Sequence, residues 1–125
     1  MQKTDISDSV YLMDGLYDPK ITKGIIANFD MLISGRVHAA VAGLSQNIPT
    51  VIIDYGHEPK AHKLQGFARV AAVEQYVANP SSKNDLIKVV DDCWENRDVL
   101  SSKLAERNLY IEELIRKNFD LLKEI

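Results

Sequence analysis

The chain has 125 residues, of which 46% are apolar and 26% charged, and a net charge of −3. That is enough for one domain with a core and too little for two, and the lack of a basic surplus argues against nucleic acid or an anionic membrane surface as a partner. One cysteine, Cys93, excludes an intrachain disulfide and the small secreted scaffolds. No apolar run approaches the roughly 20 residues of a spanning helix, and the polar, acidic stretch Met1 to Val10 does not read as a leader, so a cytoplasmic location is expected.

In chain order, Val10 to Met13 is an apolar run halted by the turn pair Asp14-Gly15, which predicts a buried strand. Asp18 can cap a helix start and Pro19 suits its first position. Ile21, Ile25 and Phe29 recur at helical spacing, which predicts a helix from about Pro19 to Asn28. Met31 to Ile33 is a second strand candidate, closed by Ser34-Gly35. Val37, Ala40, Val41 and Leu44 follow at i, i+3, i+4 and i+7, the spacing of one helix face. Asn47 can end that helix in a left-handed cap, Pro49 blocks its continuation, and Thr50 to Ile53 form a β-branched run ending at Asp54-Tyr55. Beyond the polar loop Gly56 to Lys60, a short helix is expected near Ala61 to Arg69 and a weaker fourth strand around Ala72 to Val77.

Alternation of helices with nearly continuous apolar strands predicts an α/β fold of three layers, a parallel sheet of about four strands with helices on both faces. Residues 1–125 read as a single domain, with residues 81–125 as its helical tail. Leu86, Val90, Cys93 and Trp94 mark one amphipathic helix, and Leu104, Ile111, Leu114, Ile115 and Leu122 mark a longer one. The apolar surface of that last helix has three possible destinations: the domain's own core, a part of the molecule outside this chain, or a second copy in a homodimer.

The stretch with chemical content is Ser34-Gly35-Arg36-Val37-His38, where a strand gives way to a helix. In open α/β sheets, ligands bind beyond the carboxyl ends of the strands. A glycine there lets the chain turn and a ligand approach, and a helix start offers free amides and a positive dipole end to an anion. Arg36 adds a planar fork suited to phosphate or carboxylate, and His38 can exchange a proton near neutral pH. The plainer roles are an ion pair for Arg36 and a carbonyl partner for His38. Because Val37, Ala40 and Val41 occupy the core-facing positions, Arg36 and His38 fall at the mouth instead. His57, His62, Glu58 and Asp54 match no established metal spacing, and Cys93 sits on an apolar face as a small core residue.

The run from Asp18-Pro19 to Phe29-Asp30, then Leu32-Ile33-Ser34-Gly35-Arg36-Val37-His38-Ala39-Ala40 and Ser45-Gln46-Asn47-Ile48-Pro49-Thr50, resembles the signature of the polysaccharide pyruvyl transferases. Tyr55, Lys63-Leu64-Gln65-Gly66-Phe67 and Trp94-Glu95-Asn96-Arg97 are similar to the family's downstream pattern, extending the likeness to about Arg107. The resemblance implies an enzyme of two Rossmann-like domains, as in glycosyltransferases of paired-domain architecture, with this chain as part of the second. It further implies phosphoenolpyruvate as donor, a saccharide acceptor, no cofactor and no metal. An N-terminal domain would complete the site, so that this chain alone would be inactive. His38 would be the catalytic or donor-binding histidine and Arg36 its neighbour on the substrate, with Ser34, Gly35, Tyr55, Lys63 and Lys60 as further substrate contacts. Many members read tyrosine, two residues, lysine. Here Tyr55 is followed by Gly56-His57-Glu58-Pro59-Lys60, so Lys60 and Lys63 compete for one role. The alternatives are a nucleotide-sugar glycosyltransferase domain, or a binding module of the same fold without turnover.

Overall fold

The computed structural model describes residues 7–55 and 62–125. Among them are five α-helices and one parallel sheet of three strands. In chain order these are α1 (Pro19–Ile26), β1 (Leu32–Ser34), α2 (Val37–Leu44), β2 (Thr50–Ile53), α3 (His62–Val70), β3 (Val77–Ala78), α4 (Lys83–Glu95) and α5 (Arg97–Lys123). The strands lie side by side in the order β1-β2-β3, with Leu32 opposite Thr50 and Ile52 opposite Val77.

Local chemistry fixes the first half as its sequence suggests. The Asp18 carboxylate accepts the Lys20 amide at 2.8 Å and Pro19 opens α1. Helix α2 closes in a Schellman turn, with the Ile48 amide reaching the Gly43 carbonyl and Asn47 in the left-handed region at φ 64°. Leu32 and Thr50 project from adjacent strands toward α2. They meet it at Gly43, where a β-carbon would stand 2.7 Å from Thr50 Oγ1 and 2.8 Å from Leu32 Cδ2. Ile33 and Val51 point the opposite way. Val51 is fully buried, and α4 packs on β2 and β3, while Ile33 on the edge strand stays 45% exposed.

Two expected strands are corrected. Val10 to Met13 follows a short 3-10 turn and forms no strand; its side chains are exposed, Leu12 at 88%. A strand needs a hydrogen-bonding neighbour as well as apolar residues, and none lies beside this segment among the described residues. The stretch Ala72 to Val77 is mostly not extended either. Ala72 sits in the left-handed region at φ 59°, Glu74–Tyr76 is a 3-10 turn, and only Val77–Ala78 joins the sheet. Of the four expected strands, three are present among the described residues.

The core gathers Ala40 and Leu44 of α2, Val51 and Ile52 of β2, Ala68 of α3, Val89 and Cys93 of α4, and Leu100 and Leu104 of α5. Helix α5 begins beneath the sheet. Ser101 Oγ donates to the Asn47 carbonyl (2.8 Å), Asn108 Nδ2 donates to the Leu44 carbonyl (2.9 Å) and to Asn47 Oδ1 (2.7 Å), and Arg107 Nε donates to the Val70 carbonyl (2.8 Å). These bonds hold the turns that follow α2 and α3, at the end of the sheet away from the strands' carboxyl ends. Past Ile111 every residue of α5 is exposed, including Leu114, Ile115, Phe119 and Leu122. The stripe that began as core at Leu104 thus runs off the domain. No helix among the described residues is long and apolar enough to cross a membrane.

Candidate functional site at the carboxyl ends of the strands

Strand β1 ends in Ser34, whose largely buried hydroxyl governs the turn that follows. Ser34 Oγ accepts the Arg36 amide at 3.0 Å and donates to the Arg36 carbonyl at 3.2 Å. Arg36, extended at φ −110° and ψ 131°, is the residue before α2, and no side chain caps the helix start. The amides of Val37, His38 and Ala39 precede the first in-helix bond, from Ala40 to the Arg36 carbonyl, so an anion placed there meets open donors at the positive end of a helix. The side chains of Arg36 and His38 are both exposed on this turn, as their off-face positions predict. Among the described residues, neither is tied up in a hydrogen bond or ion pair.

Gly35 owes its place to crowding. A β-carbon on it would stand 2.6 Å from Tyr55 Cε2 and 3.0 Å from the Tyr55 hydroxyl oxygen. The residue after β2 therefore lies against the turn after β1, and Tyr55, still 58% exposed, forms a wall between that turn and a cleft at the ends of β2 and β3. This cleft, about 420 Å³, is lined by Asp54, Tyr55, Gln65, Asn79, Ser81 and Asp85 among others. Its polar groups brace one another. Gln65 Nε2 donates to Asp54 Oδ2 (2.7 Å), Asp85 Oδ2 accepts the Asn79 amide (2.9 Å), and Asn79 Oδ1 accepts the Ser81 amide (2.9 Å).

The structure thus gathers Ser34, Gly35, Arg36, His38 and Tyr55 at one end of the sheet. Lys63 is exposed on the first turn of α3, two residues before Gln65, and no hydrogen bond or ion pair joins it to the turn after β1. Lys60 lies outside the described residues, as do His57 and Glu58 of the metal reading, and no group of three or more His, Cys, Asp or Glu that could hold a metal occurs among the described residues. Trp94 to Arg97 forms the junction of α4 and α5, with the Arg97 guanidinium 4.1 Å from the centre of the Trp94 ring, and contributes nothing to the cleft lining.

Sequence reasoning missed Asn79, Ser81 and Asp85. A signal for them exists: Ser82 and Asp85 have the spacing of a helix-capping pair, and Ser82 Oγ does accept the Asp85 amide at 3.2 Å. A helix start following a third strand belongs at the same end of the sheet as the one following the first.

The family whose model matches is that of the polysaccharide pyruvyl transferases, over residues 3–57. This span contains Ser34, Gly35, Arg36, His38 and Tyr55 and stops short of Lys60, Lys63 and the Trp94 segment. No curated protein and no solved structure matches the chain.

Proposed function

We propose that this chain is part of a cytoplasmic enzyme that transfers a pyruvyl group from phosphoenolpyruvate to a sugar, forming a ketal, and that it supplies the donor-binding wall of the active site. The observation that carries the reading is the turn from Ser34 to His38. A buried serine fixes the backbone, the helix start is left uncapped, and one guanidinium and one imidazole stand exposed beside it, all within the span that matches the pyruvyl transferase family.

The chemistry assigns a task to each group. The donor's phosphate and carboxylate would lie on the open amides of Val37, His38 and Ala39 and on Arg36, whose fork suits either anion. His38, in its protonated form, would deliver a proton to the terminal methylene carbon of the donor, turning it into a methyl group. The cation left at the neighbouring carbon would be attacked by one sugar hydroxyl. Loss of phosphate and attack by a second hydroxyl would close the ketal, and the two hydroxyl protons would pass to the leaving phosphate and to a base. This scheme calls on no resident cofactor or metal. The acceptor's remaining contacts would come from a second domain, so the chain alone should not turn over.

The reading is tested first on the chain itself. Titration of the isotope-labelled protein with phosphoenolpyruvate should move the amide signals of Gly35 to Ala39, with dissociation in the tens of millimolar or weaker, since amide and dipole contacts of this kind contribute roughly 0.3–2 kcal/mol. Added salt should weaken the effect. In the larger enzyme, His38→Ala should lower phosphate release by about two to four orders of magnitude. Shifts scattered evenly over surface lysines, or undiminished turnover in the folded variant, would overturn the assignment.

A further inference from the structure

Helix α5 keeps its regular course to Lys123 although its packing on the domain ends near Ile111. The ion pairs beyond that point are internal to the helix, Glu113 with Lys117 at 3.6 Å and Asp120 with Lys123 at 3.9 Å. The charges keep to one side. At the helical turn of about 100° per residue, Ile111, Leu114, Ile115, Phe119, Leu122 and Ile125 fall within an arc of about 140°, in line with the core residues Leu100 and Leu104. This is the width of a face that packs against other protein, yet Ile115 is 48%, Phe119 61% and Leu122 64% exposed.

The middle of the arc is held by a polar residue, the exposed Asn118. An asparagine within an apolar seam sets its register, because a carboxamide facing its own twin can donate and accept at once. A two-fold axis at Asn118 makes two copies of the helix antiparallel, and the rest of the sequence fits that axis. Ile111 comes level with Ile125 of the second copy and Leu114 with Leu122, so apolar residues meet along the whole seam. The axis also brings the same flank of each helix together, which puts Glu112 within one residue of the level of Lys123 of the second copy, twice in each dimer. Lys117, on the other flank, already has Glu113 of its own helix. The antiparallel arrangement keeps the two domains, each at the N-terminal half of its helix, at opposite ends of the seam. The bare side chains offer roughly 500 Å² of apolar surface a side, so about 1,000 Å² would be covered in all, the lower bound for a specific interface. We infer that the C-terminal half of α5 is a homodimer seam, an antiparallel helix pair centred on Asn118 and flanked by Glu112 and Lys123. The inference is independent of the pyruvyl-transfer reading.

Sedimentation equilibrium of the chain should show a dimer with a dissociation constant of about 1–50 µM. Ile115→Lys, at an exposed position that leaves the core untouched, should weaken it by more than about tenfold, because a lysine is buried in the seam without a partner. Lys123→Glu should weaken it about three- to tenfold by setting a glutamate against Glu112, and Glu112→Lys in the same chain should restore it. The register is read by oxidation. Asn118→Cys should link two chains, whereas Ile125→Cys should not, since its two copies stand about 21 Å apart along an antiparallel seam. Linking of Ile125→Cys as readily as Asn118→Cys would overturn the antiparallel register. A dimer that Ile115→Lys leaves unweakened would overturn the seam by placing the interface elsewhere. A chain still monomeric at about 100 µM would overturn it too, and would leave the face to protein outside this chain.

Discussion

The ring of Tyr55 rests on the backbone of Gly35, so close that any β-carbon at position 35 would overlap the ring edge. The overlapping atoms belong to the end of an exposed side chain, which can swing away. Gly35→Ala should therefore leave stability within about 1 kcal/mol of the parent yet displace the tyrosine. Nuclear Overhauser contacts between residue 35 and the Tyr55 ring should vanish in the variant. Their survival, with an unmoved ring, would show that the turn has slack which the static geometry hides.

Gly43 meets a harder boundary. Its missing β-carbon leaves room for Thr50 Oγ1 and Leu32 Cδ2, and Thr50 is fully buried with its hydroxyl bonded to the Ile48 carbonyl at 2.8 Å. Gly43→Ala improves helix propensity by about 1 kcal/mol but forces α2 off the sheet. We expect a net loss of about 1–3 kcal/mol in urea denaturation, and an unchanged or raised midpoint would refute the close-packing argument.

Ala72 ends α3 in a left-handed conformation, with the Val73 amide reaching back to the Ala68 carbonyl at 2.9 Å. An L-residue there carries about 1–2 kcal/mol of strain, part of which glycine would return through its greater freedom in the unfolded chain. Ala72→Gly should raise stability by about 0.5–1 kcal/mol. A fall in the thermal midpoint would mean that the alanine methyl makes a contribution the geometry does not reveal.

Burial raises the Cys93 thiol from 9.0 to about 11, and Tyr76 is raised too, first by burial and then by the neighbouring Cys93 and Asp92. As pH climbs past 9.0 the unfolded chain loses the thiol proton before the folded one does. The unfolded state then binds fewer protons and stability falls. The contribution is complete below that pH and is lost on the way to about 11. Denaturation midpoints should decline across this window, and less steeply in Cys93→Ala, while iodoacetamide at neutral pH should label only unfolded protein. An equal slope in the variant would remove Cys93 from the account.

Helix α5 divides near Asn108 into a half that belongs to the core and a half that does not. Leu104→Ala should cost about 2–5 kcal/mol. Ending the chain after Ile111 should cost little, because every residue beyond it is exposed. Leu114, Ile115, Phe119 and Leu122 leave enough apolar surface wet for the full chain to self-associate at micromolar concentration, and the shortened chain should stay monomeric. Light scattering over a dilution series reads both, and a monomeric full chain would set the association aside.

What could be read in the sequence was whatever is encoded locally. The cap at Asp18, Pro19 at a helix start, the spacing from Val37 to Leu44 and the left-handed Asn47 are each settled within a few residues, and the structure has them as expected. Strand status at Val10 to Met13 depends on a neighbour that no local pattern supplies. At Ala72 to Val77 an apolar composition conceals a left-handed residue and a 3-10 turn, since alanine gives no warning of a positive φ. The exposed Arg36 and His38 follow from helical periodicity alone. The contact of Gly35 with Tyr55, and the cleft formed by Asp54, Gln65 and Asp85, join residues far apart in sequence and become visible only once the strands are aligned.

The bonds that α5 makes to the turns at Leu44, Asn47 and Val70 are long-range, whereas several bonds of the opposite end, Ser34 to Arg36, Asn79 to Ser81 and Asn79 to Asp85, close within a few residues of themselves. A loop fastened to itself can be rewritten without unfastening anything else. A substitution between Asn79 and Asp85 therefore disturbs bonds confined to that loop, while one at Ser101, Arg107 or Asn108 releases a turn far away in the chain.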